Sequence, residues 1–492
     1  MQKKISIFYT SDVHGHLHEL ASCMGSFSHD GNSLIFDGGD LLQGSTLTAY
    51  LKERDGSPVG LCAEMLNLGG YSAITLGNHD FDYGPRALEK YISSLDAVCL
   101  CANVDGIAGV RKTCIFTLEN GLRIGVTGVT NGFVPVYEKP ENLIGVTIAN
   151  PVDAAACALE SLRAKETDIN ICIYHGGFEN DPFSGRALSF TGEDRAYEMC
   201  SSLGFDILLT GHRHVPLSGI HLNSCFACQP PCNGEGFVKI DLTVDETVER
   251  KIENSIVYSG REIGPREKAV LSAPESEAEL WLDKPVGRID EFLDTSDRLN
   301  MALEGSLLAN LFNSVQLEAS GADVSCTSIA NDAKGISRNV TVRDIISSYI
   351  FSNSLVTLKV NRQVLKSALE RCAEYYSLTE AGRIEISDKF LSPEIQHYNY
   401  DFFSGIDYTF DISRPPGDRV ISIRFRGSEL DDVESLSLCM NSYRATGAGG
   451  YDIYKTCPVI SMQGGDVIQL IIDYIQSHNP VTVDTKNYIS IV

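Results

Sequence analysis

GDLLQGS at Gly39–Ser45 and GNHDFDYG at Gly77–Gly84 each close an apolar run with a cluster of carboxylate, amide and imidazole groups. Leu34-Ile35-Phe36 leads through Asp37 and two glycines to Asp40, and Ala73-Ile74-Thr75-Leu76 leads through Gly77 to Asn78, His79, Asp80 and Asp82. A turn after a buried strand calls for glycine, not for acids and a histidine. Charged groups at such positions need partners, and a metal ion serves several of them at once.

Working outward, similar apolar runs occur at Ile5–Thr10, Ala97–Cys101, Leu122–Val129, Ile169–Tyr174 and Phe205–Thr210. With Leu34–Phe36 and Ala73–Leu76 they read as buried strands. Residues 47–70, 85–95, 151–167 and 194–204 carry helical spacing with glycine stops. Strand and helix in alternation predict an α/β layered domain, with functional groups at the carboxyl ends of the strands. Residues 271–292 are acidic and proline-marked, which sets the expected domain boundary. The expected organisation is a domain over 1–285, a linker helix region over 286–320 and a second domain over 321–492. Within the linker, 298–320 reads as one long helical stretch.

The chain has 492 residues and a net charge of −25. So acidic a body repels polyanions, which argues against a nucleic-acid polymer as partner and leaves small phosphorylated molecules, with metal supplying positive charge. The apolar stretch after Met1 is too short for a signal-peptide core, and no run reaches the ~20 apolar residues of a membrane span. The fifteen cysteines sit scattered, mostly in apolar segments, as reduced core-filling thiols do. The expectation is a soluble cytoplasmic protein with no membrane partner. HLNSCFACQPPC at 221–232 contains one C-x-x-C and no second one at zinc-knuckle spacing, so it reads as an edge of the first domain.

The polar residues just past the first-domain strands form an ordered set. Asp12 and His14 follow the first strand, Asp40 the second, Asn78 and His79 the third. His175 lies in YHGG, and His212 and His214 in GHRH. Carboxylates mixed with imidazoles suit Mn²⁺, Zn²⁺, Fe or Co²⁺. Seven ligands exceed the needs of one ion. Asp40 stands where it could bridge a pair about 3.5–4 Å apart.

These five motifs resemble the signature of the calcineurin-like metallophosphoesterases. With the second domain they resemble the two-domain 5'-nucleotidase family over nearly the whole chain. The resemblance implies a four-layer α/β/β/α metallophosphoesterase domain followed by a smaller α+β C-terminal domain. It also implies two divalent ions, Mg²⁺ included among the possible identities. One would be held by Asp12, His14, Asp40 and His214, the other by Asp40, Asn78, His175 and His212. His79 would stabilise the phosphoryl oxygens or the leaving group, oriented by Asp82. A carboxylate partner fixes the tautomer of an imidazole and raises its basicity, which agrees with that role.

The second domain bears on the substrate. HYNYDFFSGIDYTFDI at 397–412 and MNSYRATGAGGYDIY at 440–454 resemble substrate-binding stretches of the family. Tyr398 and Tyr443 match the two rings that would sandwich a base, with Phe403 the rival to Tyr398. IFSNSL at 350–355 resembles an asparagine-bearing turn, which makes Asn353 a substrate-binding candidate. The wording is similar to the 2',3'-cyclic-nucleotide 2'-phosphodiesterase/3'-nucleotidase branch. The N-G-G-G-I-R stretch of ordinary 5'-nucleotidases is replaced by CTSIANDAKGIS, and their acidic residue after the glycine pair by Gly449. Two departures stand out: that branch is usually exported, whereas no export signal is expected here, and Asp80 occupies a position where relatives often carry glutamate. The implied activity is hydrolysis of small nucleotides by a metal-activated water. A 5'-nucleotidase or nucleotide-sugar hydrolase on the same fold is the alternative, and a non-catalytic nucleotide- or metal-binding protein is the alternative of another class.

Overall fold

The computed structural model describes residues 2–188, 192–244, 250–350, 354–392, 395–432, 434–463 and 467–492. The chain divides into two compact units, Met1–Ala278 and Glu279–Val492.

Two six-stranded sheets build the first unit. In one, Lys3–Thr10, Ser33–Asp37, Ala73–Ile74 and Val98–Cys99 run parallel, and Gly236–Val244 and Arg250–Tyr258 extend it antiparallel. In the other, Arg123–Thr130, Ile169–His175, Ile207–Thr210 and Cys225–Gln229 are parallel, flanked by antiparallel Thr113–Thr117 and Leu217–Leu222. Alternation along each strand sends successive side chains to opposite faces. Ile5, Ile7, Tyr9, Leu34 and Phe36 therefore meet Ile124, Val126, Ile171, Ile173, Ile207 and Leu209 in one apolar layer between the sheets. Phe8, Ile35 and Ile74 face outward onto Leu20, Leu66 and Leu88 of the helices Leu17–Met24, Val59–Leu68 and Gly84–Ser94. On the far side Val129, Cys172 and Leu208 pack on Val152, Leu159 and Met199 of Pro151–Arg163 and Ala196–Ser202. The four layers are helix, sheet, sheet, helix. Residues 221–232 supply an edge strand and its neighbour, and Cys225 and Cys228 are buried there without a disulfide.

A glycine stop divides 47–70 into two helices, and a glycine also breaks 298–320, which reads as one long helix. Residues 47–70 form Thr46–Asp55 and Val59–Leu68, because Gly56 caps the first at φ 79° and Pro58 follows. Residues 298–320 form Arg298–Glu304 and Leu307–Ser320, parted at Gly305 with φ 86° and ψ 166°. The division between the units falls inside the helix Pro265–Leu282, ahead of residue 285. Leu307–Ser320 is a packed helix of the second unit, not a tether: Leu308, Leu311, Phe312 and Val315 are buried, and Asn313 donates to the Phe402 carbonyl.

The second unit is α+β. Its five-stranded sheet runs in the order Asp401–Ser404, Val324–Ser328, Ser435–Asn441, Leu355–Asn361, Val459–Gln463. A four-stranded sheet contains Ile406–Phe410 and Val420–Phe425, and the helix Arg362–Ala373 buries Leu365, Leu369 and Cys372 in the shared core. Among the described residues no helix is long and apolar enough to cross a membrane.

Candidate metal centre

Parallel register places the predicted ligands side by side. Thr10 lies opposite Asp37 and Asp37 opposite Ile74, so the turns that follow bring Asp12, Asp40 and Asn78 to one sheet end. In the other sheet Thr130 lies opposite His175 and Tyr174 opposite Thr210, which aligns His175 with the turn carrying His212 and His214. The two ends are then tied together. Asp12 accepts the backbone N–H of His212 at 2.9 and 3.0 Å on its two oxygens, and the Tyr9 hydroxyl donates to the Thr210 carbonyl at 3.0 Å. Two groups result, Asp12 with His14 and His214, and Asp40 with His175 and His212; in each, the ligand atoms lie within 4.8 Å of one another.

The backbone is strained to achieve this. Nine non-glycine residues among those described have positive φ, and five of them are Asp12 (56°), His14 (50°), Asp40 (59°), His212 (73°) and His214 (56°). Each costs roughly 1–3 kcal/mol and persists where the surroundings over-determine it, typically at a functional site. Gly77 is required for space: a Cβ there would strike the Asp40 carboxylate.

Hydrogen bonds fix where the imidazole lone pairs point. His14 Nδ1 donates to the Gln43 carbonyl at 2.9 Å, which leaves a lone pair on Nε2, 2.9 Å from His214 Nε2. His175 Nδ1 donates to the Gly38 carbonyl at 2.7 Å, and its Nε2 stands 3.2 Å from both Asp40 Oδ2 and Asn78 Oδ1. Nitrogen and oxygen atoms this close share a proton or a cation, because bare acceptors repel. The donor set, hard oxygens with imidazole nitrogens, fits divalent ions of the Mn²⁺, Zn²⁺, Fe, Co²⁺ and Mg²⁺ group. Protons feel the same field. Burial opposes a charge on His175, but Asp40 and Asp12 outweigh it and raise the ring to about 10. Burial also opposes ionisation of Asp40, yet His175 and His79 hold it well below the usual carboxylate range. His14 is pushed down to about 4, chiefly by burial, so it is a neutral donor.

His79 differs from these. Its backbone N–H donates to Asp40 Oδ1 at 2.7 Å, while its ring Nδ1 sits 3.4 Å from Asp82 Oδ2. The side chain is 38% exposed, against 0% for His175. Burial opposes its charge, but Asp82 and then Asp40 raise it to about 10, so it retains a proton.

Several residues that position the centre escape a reading of the sequence. Asp80 is buried, and its carboxylate accepts the backbone N–H groups of Asp40 (3.0 Å), Leu41 (3.2 Å), Leu42 (3.3 Å) and Gly77 (2.8 Å), shaping both quoted turns. Asp37 accepts from Thr10 Oγ1 and the Gly39 N–H, and burial pushes it up to about 7. Ser11 Oγ donates to Asp12 Oδ2 at 2.6 Å. The local signal for Asp37 and Asp80 was their presence inside the motifs; their backbone partners are visible only in three dimensions.

In the second unit Tyr443 is 41% exposed on the short helix Ser442–Ala445. Tyr398 is half-buried and is brought near by Arg444, whose Nη2 donates to the Tyr398 carbonyl at 2.8 Å. Arg444 is itself buried, paired with Asp401 at 2.9 Å, and stacked over Tyr451 at 4.3 Å. Phe403 is 2% exposed inside the core, with its ring 6.0 Å from Tyr408, so it has no open face for a base. Asn353 lies outside the described residues; the next residue, Ser354, accepts the backbone N–H of Ser442 at 2.8 Å. Gly449 has φ 76°, and a Cβ there would collide with Arg444 and Asn399, so this turn has no room for an acidic side chain.

Comparison with known proteins agrees with the fold. Residues 5–216 match the calcineurin-like phosphoesterase family and residues 285–456 the 5'-nucleotidase C-terminal domain. The chain belongs to the two-domain 5'-nucleotidase family and is a metal-dependent phosphoesterase of the two-metal type. It is 21% identical to the trifunctional nucleotide phosphoesterase YfkN of Bacillus subtilis over 94% of its length, and spans 36% of that protein. It is 23% identical to the 2',3'-cyclic-nucleotide 2'-phosphodiesterase/3'-nucleotidase of Salmonella typhimurium, covering 85% of this chain and 74% of that one. A crystal structure from Staphylococcus aureus, assigned provisionally as a 5'-nucleotidase and solved with alpha-ketoglutarate, superposes with a TM-score of 0.89 at 28% identity, covering 99% of this chain and 100% of the other.

Replacing Asp80 tests the scaffold beneath the ligands. Each buried N–H left without a partner costs about 1–3 kcal/mol. Asp80→Ala orphans four, so urea unfolding of the first unit should show a loss of at least about 3 kcal/mol. A loss under 1 kcal/mol would show that Asp80 does not shape the turns.

Proposed function

We propose that this chain hydrolyses phosphoesters of small nucleotides, with 2',3'-cyclic and 3'-nucleotides as its substrates. The observation that carries the chemistry is the convergence of two groups of candidate ligand atoms, Asp12 with His14 and His214, and Asp40 with His175 and His212, each with its atoms within 4.8 Å of one another. Asp12, His14, Asp40 and His214 would hold one divalent ion, and Asp40, Asn78, His175 and His212 the other. Bound there, such ions supply a nucleophile at neutral pH and neutralise charge on the phosphoryl oxygens. His79 holds a proton beside the ligands, and Asp82 fixes its ring for delivery to the departing ester oxygen. Tyr443 offers an exposed ring to a nucleobase, with Tyr398 beside it and Asn353 as a further contact. The similarity to the Salmonella enzyme supports the cyclic and 3'-nucleotide reading. A second reading, 5'-nucleotidase, is favoured by the likeness to the Staphylococcus structure. Product analysis on a panel of 2',3'-cyclic, 3'- and 5'-nucleotides with Mn²⁺ added separates the two, since turnover confined to 5'-nucleotides would reject the first.

Three substitutions test the roles. Asp40→Asn should abolish hydrolysis and lower metal content in elemental analysis, because a neutral amide does not hold two divalent cations together against their repulsion. Full activity with both ions retained would reject the bridging role. His79→Asn should leave metal content unchanged and slow turnover roughly 100- to 10,000-fold, the usual cost of lost acid–base assistance. Loss of metal, with the rate restored when metal is resupplied, would make His79 a ligand instead. Stacking a base on an aromatic ring contributes about 1–3 kcal/mol. Tyr443→Ala should therefore lower kcat/KM for a nucleotide about ten- to a hundredfold and leave bis-p-nitrophenyl phosphate nearly unaffected. Equal losses on both substrates would place the base elsewhere.

A further inference from the structure

The turn that carries His212 and His214 is clasped by two consecutive acids from a distant part of the chain. Glu193 Oε1 lies 2.6 Å from His212 Nε2, with both side chains largely buried at 13% and 12% exposure. Its neighbour Asp194 is fully buried, accepts the Gly177 N–H at 2.8 Å just after His175, and pairs with Arg213 Nε at 3.1 Å. The Tyr174 hydroxyl donates to the Glu193 carbonyl at 3.2 Å, which pins the main chain between them. Glu193 and Asp194 thus hold His212 and Arg213 in order, and anchor both to the end of the strand bearing His175.

Glu193 is absent from the groups whose atoms converge for a metal, so it acts on the centre through His212. A carboxylate only accepts hydrogen bonds, so His212 Nε2 must carry the hydrogen and Nδ1 the lone pair. The ring is held at its far nitrogen by Glu193 and at its backbone by Asp12, with φ at 73° between them. An imidazole so oriented is a better ligand.

We infer that Glu193 is a positioning residue for the metal centre: it fixes the His212 ring with Nδ1 directed to the Asp40–His175 group, and so sets the affinity of that site. The inference rests on the proposed ligand role of His212. Carboxylates in this position change metal affinity about 10- to 100-fold. The test measures Mn²⁺ affinity of the metal-free protein by chelator competition, without turnover. Glu193→Ala should weaken one of two bound equivalents by that factor. Glu193→Gln, which keeps the shape and an accepting oxygen, should recover most of it. In a His212→Ala background Glu193→Ala should have no further effect, a coupling that a general packing defect would not give. Unchanged affinity in Glu193→Ala alongside loss in His212→Ala would overturn the positioning role alone. Equal losses in Ala and Gln variants would overturn it too, pointing to direct ligation by charge. Unchanged affinity in His212→Ala would remove the ligand role and the inference with it.

Discussion

The bond from the His212 backbone N–H to the Asp12 carboxylate joins the carboxyl ends of two separate sheets, and the centre depends on it. Neither sheet carries the whole set of candidate ligands. One brings Asp12, His14, Asp40 and Asn78, the other His175, His212 and His214. Tyr9 to Thr210 and His175 to Gly38 repeat the same cross-sheet linkage a few ångströms away. These bonds are buried, where an unpaired polar group costs most, so they hold the two ends in one register.

What is held together is locally unfavourable. Five left-handed non-glycine residues and several closely spaced carboxylates and imidazoles gather in one place. The apolar layer between the sheets keeps the arrangement from relaxing, since each fully buried Ile, Leu or Phe contributes about 1.5–3 kcal/mol. Strain of this kind is the expected mark of a pre-organised site. Cations held among these groups would relieve their crowding and also supply the chemistry, so stability and function make the same demand of these residues.

The second unit solves a different problem with a different device. An exposed tyrosine has little to hold it, but Tyr443 precedes the buried Arg444, which is paired with Asp401 and bonded to the Tyr398 carbonyl. Breaking a buried pair leaves an uncompensated charge, so both ring-bearing segments are tied to a strongly determined point. The left-handed turn at Gly449 leaves no space for the acid of ordinary 5'-nucleotidases, because Arg444 and Asn399 occupy it.

The sequence alone determined much of the first unit: its strands, the polar residue types after each of them, and the family resemblance. Short-range pattern was enough because strand ends and glycine turns declare themselves within a few residues. It misjudged 298–320 as one long helix, since periodicity survives a positive-φ glycine that ends the hydrogen-bond ladder. It offered Phe403 for the base although alternation turns that ring into the core. Tertiary structure alone decided which ligands face each other, which backbone groups Asp80 serves, and that Glu193 meets His212. Apart from Asp80 to Gly77, those relations join residues that are 19 to 200 positions apart, and they arise from sheet register and sheet-on-sheet packing, which no local pattern encodes.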